Sequence, residues 1–110
     1  MKVVEFLDEK GRSPFRSWLK DLIPATRARI QARIARFESG NLGDVKAVGE
    51  GVFEARIFFG PGYRIYYGVD GETIVVLLTG GDKSSQDRDI VKAKKFWASY
   101  TEGENDDKTN

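Results

Sequence analysis

The chain has 110 residues, and its 18 lysines and arginines stand against 17 aspartates and glutamates for a formal net charge of +1. That length is one domain, large enough to bury a core without disulfides or metals. Cysteine and histidine are both absent, which excludes a disulfide framework, a thiolate zinc site and histidine-based acid–base catalysis, so any chemistry rests on Lys, Arg, Asp, Glu, Tyr or a hydroxyl.

The near-neutral total hides an asymmetry. Residues 101–110 carry net −3, and residues 1–100 therefore carry net +4. The acidic tail is expected to be disordered, and residues 1–100 to form the single folded domain, whose modestly basic surface permits a nucleic-acid partner. The opening MKVVEFLDEK becomes charged too soon for a signal peptide. No apolar run approaches the roughly 18 residues of a membrane span. The expectation is a cytoplasmic protein without a membrane partner.

Lys2–Leu7, rich in β-branched and aromatic residues, predicts a first strand. Ser13 before Pro14 is an N-cap followed by a proline at the first helical position. Phe15, Trp18, Leu19 and Leu22 then recur at helical spacing, predicting a helix over Pro14–Leu22. Pro24 opens a second helix to Ser39, with Ile30, Ile34 and Phe37 inward and Gly40 as its C-terminal stop. Arg29, Arg33 and Arg36 share another stripe of that helix. It reads as a solvated flank, a phosphate-contacting ridge or a dock for an acidic partner. Asn41–Gly51, with three glycines and little periodicity, reads as a connecting loop.

Three antiparallel strands follow: Val52–Phe59, Tyr63–Val69 and Thr73–Thr79. Gly60-Pro61-Gly62 and Asp70-Gly71 make the turns. The run Ile74–Leu78 argues for a central strand, achieved if the first strand pairs beside it. A three-residue loop at Gly60–Gly62 sets Phe59 opposite Tyr63 and Arg56 opposite Tyr66. Glu54, Arg56, Arg64 and Tyr66 then share one face, whereas a two-residue turn flips Arg64 to the other. Either outcome is compatible with ordinary surface decoration. After Gly80-Gly81-Asp82-Lys83, Ser84 or Ser85 caps a last helix over Gln86–Tyr100. The glycines here are not a P-loop, because Asp82 separates Gly81 from Lys83. The predicted class is α+β: an N-terminal strand, a helix hairpin, a three-stranded meander and a C-terminal helix, built on a four-stranded sheet whose other face is open.

This order resembles the RelE/ParE superfamily of toxins. Val52-Phe53-Glu54-Ala55-Arg56-Ile57, Gly60-Pro61-Gly62-Tyr63-Arg64-Ile65-Tyr66-Tyr67 and Leu77-Leu78-Thr79-Gly80-Gly81-Asp82-Lys83-Ser84-Ser85-Gln86-Asp87 resemble its phage-derived Gp49-like, HigB-type branch. The resemblance covers about residues 1–100. It implies the toxin of a type II toxin–antitoxin pair, an mRNA interferase acting on ribosome-bound mRNA without metal or cofactor and silenced by a helix-turn-helix antitoxin. By position it implies Arg56, Arg64 and Lys83 as catalytic residues, with Glu54, Tyr66, Tyr67 and Gln86 contacting RNA. Arg29, Arg33 and Arg36 are the residues assigned to the antitoxin. Glu54 stands where RelE itself has a base. The tyrosine of RelE's last helix has no counterpart at Arg88 or Asp89, so Tyr66 or Tyr67 can replace it only by position in space. The superfamily also contains ParE-type gyrase poisons, which share the fold without nuclease chemistry, and a purely complex-forming member is a third reading.

Overall fold

The computed structural model describes residues 1–109, with side chains described as far as Gly103. Its elements are β1 (Lys2–Glu5), α1 (Pro14–Lys20), α2 (Pro24–Glu38), β2 (Val45–Gly49), β3 (Val52–Ile57), β4 (Tyr63–Asp70), β5 (Ile74–Gly81), a 3-10 turn (Lys83–Ser85) and α3 (Gln86–Thr109). The strands form one sheet in the order β1-β5-β4-β3-β2. β1 runs parallel to β5, pairing Lys2 with Ile74 and Glu5 with Leu77, and the other pairs are antiparallel.

The helices begin and end where local chemistry directs. The Ser13 side chain accepts the Arg16 amide at 2.9 Å, and Pro14 occupies the first turn of α1. α2 closes with the Gly40 amide on the Phe37 carbonyl and the Asn41 amide on the Arg36 carbonyl, each at 2.9 Å. This pairing needs a left-handed residue, and Gly40 supplies it at φ +88°.

Both faces of the sheet are covered. Phe15, Leu19, Ile30 and Phe37 of the helix hairpin pack on Ala55, Ile65, Tyr67, Val75 and Leu77. On the opposite face Ala93, Ile90, Trp97 and Tyr100 of α3 pack on Val52, Tyr66, Val76 and Leu78. The expectation of an open second face is thereby corrected. Its alternate residues are apolar and must be removed from water, and the α3 stripe removes them. Each layer seats an indole on a glycine. A Cβ on Gly80 would stand 2.2 Å from the Trp18 ring, and one on Gly68 would stand 2.4 Å from the Trp97 ring.

Three further expectations are corrected. The sheet has five strands rather than four, because Val45–Gly49 is an edge strand and not a loop. Ordinary alternation turns Val45 to the hairpin layer and Val48 to the α3 layer, and a bulge between Ala47 and Gly49 shifts the pairing at the strand's end. The cap before the last helix is Asp82 rather than Ser84 or Ser85. Its side chain accepts the Ser84 amide at 2.8 Å, and Ser85 reciprocates. α3 continues past Tyr100 through Thr101, Glu102 and Gly103. The expectation of a disordered tail over residues 101–110 falls mostly on side chains outside the described residues. Among the described residues, no helix is long and apolar enough to cross a membrane.

Candidate active site

The site is built on the β3–β4 hairpin. Arg56 pairs with Arg64 and Glu54 with Tyr66, so the connection spans Phe58–Gly62 rather than Gly60–Gly62. The register differs from expectation by two residues. An even slip preserves the side-chain face, so Glu54, Arg56, Arg64 and Tyr66 lie on one side as expected. Gly62, at φ +79°, lets the chain turn back with its amide on the Phe59 carbonyl at 3.1 Å.

At the centre is Glu54, which is fully buried. Its Oε2 accepts the Tyr66 hydroxyl at 3.1 Å and the Gln86 side-chain amide at 3.0 Å. The same oxygen lies 3.5 Å from Arg64 Nε, while Oε1 is buried with no hydrogen-bond partner. Arg64 Nη1 donates to the Gly62 carbonyl at 2.7 Å. The guanidinium is thus held at both ends, with the side chain only 12% exposed. A buried carboxylate is tolerated when charge and hydrogen bonds compensate it, and here Arg64, Tyr66 and Gln86 do so.

Lys83 and Arg64 flank Gly62. A Cβ at Gly62 would stand 3.4 Å from Arg64 Nη1 and 3.8 Å from the Lys83 Cβ. The Lys83 amide reaches the Pro61 carbonyl at 3.4 Å, which docks the 3-10 turn on the hairpin loop. Lys83 itself is exposed. The Ser84 hydroxyl and amide hold the Asp82 carboxyl below its usual range. Arg56 faces Arg64 across the strands but ion-pairs with Asp44 at 3.2 Å. The three basic residues singled out from sequence therefore share one end of the sheet, with Gln86 joined to them through Glu54.

Three of the four expected RNA contacts are withdrawn. Tyr66 and Tyr67 are 0% and 1% exposed, on opposite faces of β4. Tyr67 lies between Phe37 and Phe53, with ring centroids at 5.3 and 5.6 Å. Neither ring can stack a base or take the place of a last-helix tyrosine. Burial, and then the Glu54 charge, push the Tyr66 phenol well above its usual range, so it is a donor to Glu54 and not a base. Glu54 is likewise inaccessible to RNA. Alternation places a residue on a face but does not say whether a helix covers it.

The arginine ridge on α2 is also corrected. Arg33 is 6% exposed. Its Nε and Nη2 donate to the Leu42 carbonyl at 3.2 and 3.0 Å, Nη2 also to Asp44 at 2.9 Å, and Nη1 to the Arg56 carbonyl at 2.9 Å. It ties the Leu42–Asp44 segment leading into β2 to the Arg56 carbonyl of β3, and burial lowers its pKa. It is unavailable to a partner. Arg29 instead rests 3.9 Å over the Phe59 ring, and Arg36 is exposed. Both border a cleft of about 520 Å³ between α2 and the end of β3, which Arg56, Phe58 and Asp44 also line. A larger cleft of about 650 Å³ beside β5 carries Asp82 and Asp89, with Lys92 its one cation. Sequence reasoning missed Phe58 and Asp44. Phe58 stands beside Phe59 at a strand end, where patterning does not separate an exposed ring from a packed one, and Asp44 sits in the segment read as a loop. Among the described residues no group of three or more acidic side chains could hold a metal ion.

The family model described as phage-derived protein Gp49-like matches residues 17–97. The chain belongs to this family. The Gp49-like match takes in the second half of α1, all of α2, strands β2–β5 and the first half of α3, and so every residue of the hairpin site. An uncharacterized protein of Haemophilus influenzae is 51% identical over 81 residues, which is 73% of this chain and 82% of that protein. Gp49-like proteins are toxin-like, and the cationic end of the sheet is where this chain concentrates chemistry consistent with such a role.

Proposed function

We propose that this Gp49-like protein is the RelE-like toxin of a type II toxin–antitoxin pair, an endoribonuclease that cleaves mRNA without a metal and is silenced by a helix-turn-helix antitoxin. The observation that carries the reading is Arg64, pinned between the buried Glu54 and the Gly62 carbonyl, beside Lys83 and opposite Arg56. The RNA 2′-hydroxyl attacks the adjacent phosphorus. The phosphorus–O5′ bond breaks, leaving a 2′,3′-cyclic phosphate and a free 5′-hydroxyl. The 2′-hydroxyl proton leaves to a base and a proton reaches O5′, with Lys83 the exposed group at hand for transfer. Arg64 and Arg56 offer guanidinium forks to the equatorial oxygens, where charge builds in the transition state. Pinning Arg64 beforehand removes reorganisation from the reaction step. Glu54, being buried, positions Arg64 and does not take the proton.

The test is cleavage of end-labelled single-stranded RNA with EDTA present. The parent should give cyclic-phosphate ends, and Arg64→Ala should lower kcat by about 10²–10³-fold, as for loss of one transition-state donor. Expression of the parent should arrest bacterial growth, and expression of the variant should not. Parental cleavage by a folded Arg64→Ala, or its abolition by EDTA, would overturn the reading.

A further inference from the structure

We propose that the cleft between α2 and the tip of the β3–β4 hairpin is a second subsite for single-stranded RNA, where Arg29 and Arg36 hold phosphates and Phe58 stacks an unpaired base. The proposal rests on reading Arg64 and Lys83 as an RNA-cleaving pair. It begins from an anomaly of exposure. Phe58 is 81% exposed, more than any other large apolar side chain among the described residues. A lone ring in water contributes no core energy. It stands beside a cation, with the Arg56 guanidinium 5.8 Å from its centroid, and its neighbour Phe59 carries Arg29 at 3.9 Å. Alternating rings and guanidinium groups suit an unpaired strand, since bases stack on π faces while phosphates meet arginines.

The charge balance of the cleft favours the same ligand. Arg29, Arg33, Arg36 and Arg56 border it against one acid, Asp44. Arg33 is occupied by backbone carbonyls, and Arg56 shares one nitrogen, Nη2, with Asp44. Arg29 and Arg36 make no ion pair among the described residues. Proximity to Arg36 adds to the burial that depresses the Arg33 pKa, a repulsion that a polyanion relieves. The cleft also continues the proposed cleavage site. Arg56 is the cross-strand neighbour of Arg64, so a strand leaving Arg64 and Lys83 passes over Arg56 and Phe58 and enters between α2 and the hairpin. The larger cleft beside β5, with Asp82 and Asp89 on its wall, repels phosphate and offers no such path.

Binding is measured by fluorescence anisotropy on a short single-stranded RNA with 2′-O-methyl groups, which lacks the nucleophile and survives intact. Phe58→Ala should weaken binding about tenfold, the effect of losing one stacked base. Phe58→Trp should bind like the parent, and Phe58→Leu like Phe58→Ala, because an apolar group without a π face does not suffice. Arg29→Gln with Arg36→Gln should lower the slope of log affinity against log salt by about 1.4, the loss of two single-strand phosphate contacts. Thermal melts of all variants verify that the fold is kept. If the parent cleaves and binds RNA while Phe58→Ala and the double variant bind with parental affinity and slope, the subsite is overturned and the nuclease reading stands. If the parent neither binds nor cleaves, both are overturned. If the variants bind RNA normally but lose association with a co-expressed antitoxin, the cleft is a protein dock and the subsite is wrong.

Discussion

Glu54 shows how one buried charge decides what its neighbours do. Its carboxylate meets Arg64, Tyr66 and Gln86, three side chains from two other elements, β4 and α3. Removing one member of a buried ion pair typically costs about 3–5 kcal/mol. We place Glu54→Ala near the bottom of that range, because Arg64 keeps some contact with water, and thermal melting reads the loss. Glu54→Gln keeps an acceptor for Tyr66 and should lose less stability. A Glu54→Gln protein with parental Tm and no cleavage would instead make Glu54 the base. Tyr66 predicts a dependence at high pH. Its phenol titrates near 10.0 when unfolded and higher when folded. The folded state therefore retains the proton that the unfolded chain releases, and the associated stability is complete below about pH 10 and lost as pH rises toward the folded pKa. Tm should fall above pH 10, and fall less in Tyr66→Phe, when both are measured across that range. The residue types of this network were legible in sequence, as was their common face. Their burial was not, because it depends on α3 crossing above them.

At the scale of elements, the helices were the most legible. Caps, prolines and apolar stripes are local signals, and α1 and α2 start where Ser13-Pro14 and Pro24 place them. The hairpin register and β2 were less legible for one reason, namely that turns and bulges insert residues that period-two patterning cannot count. Arg33 was misread because its stripe position looks solvated until the carbonyls of Leu42, Asp44 and Arg56 converge on it. The contact of α1 with β5 carries its own prediction. Gly80 leaves no room for a side chain beneath Trp18. Gly80→Ala should destabilise by about 1–3 kcal/mol through overpacking. Combining it with Trp18→Leu should give less than the sum of the two single losses, since both act on one contact. Additive losses in Tm or denaturant midpoint would show that the indole does not press on this glycine.

For the whole molecule, the class, the order of elements and the placement of the first strand beside the last were readable from the apolar run Ile74–Leu78. The second covering layer was not, since a stripe on α3 shows that the helix packs without showing where. One feature has kinetic meaning. β1 is parallel to β5, so Lys2 waits for Ile74, and the earliest segment synthesised is among the last to find its place. Loop closure over such a span is entropically costly and slows folding, while β2 to β5 form a meander of near neighbours that can assemble first. Val4→Ala should accordingly speed unfolding and leave the refolding rate nearly unchanged, as stopped-flow chevrons would show. Equal effects on both arms would place β1 in the nucleus. On a translating ribosome the same topology delays the complete sheet, and any toxicity that depends on it, until nearly the whole chain has emerged.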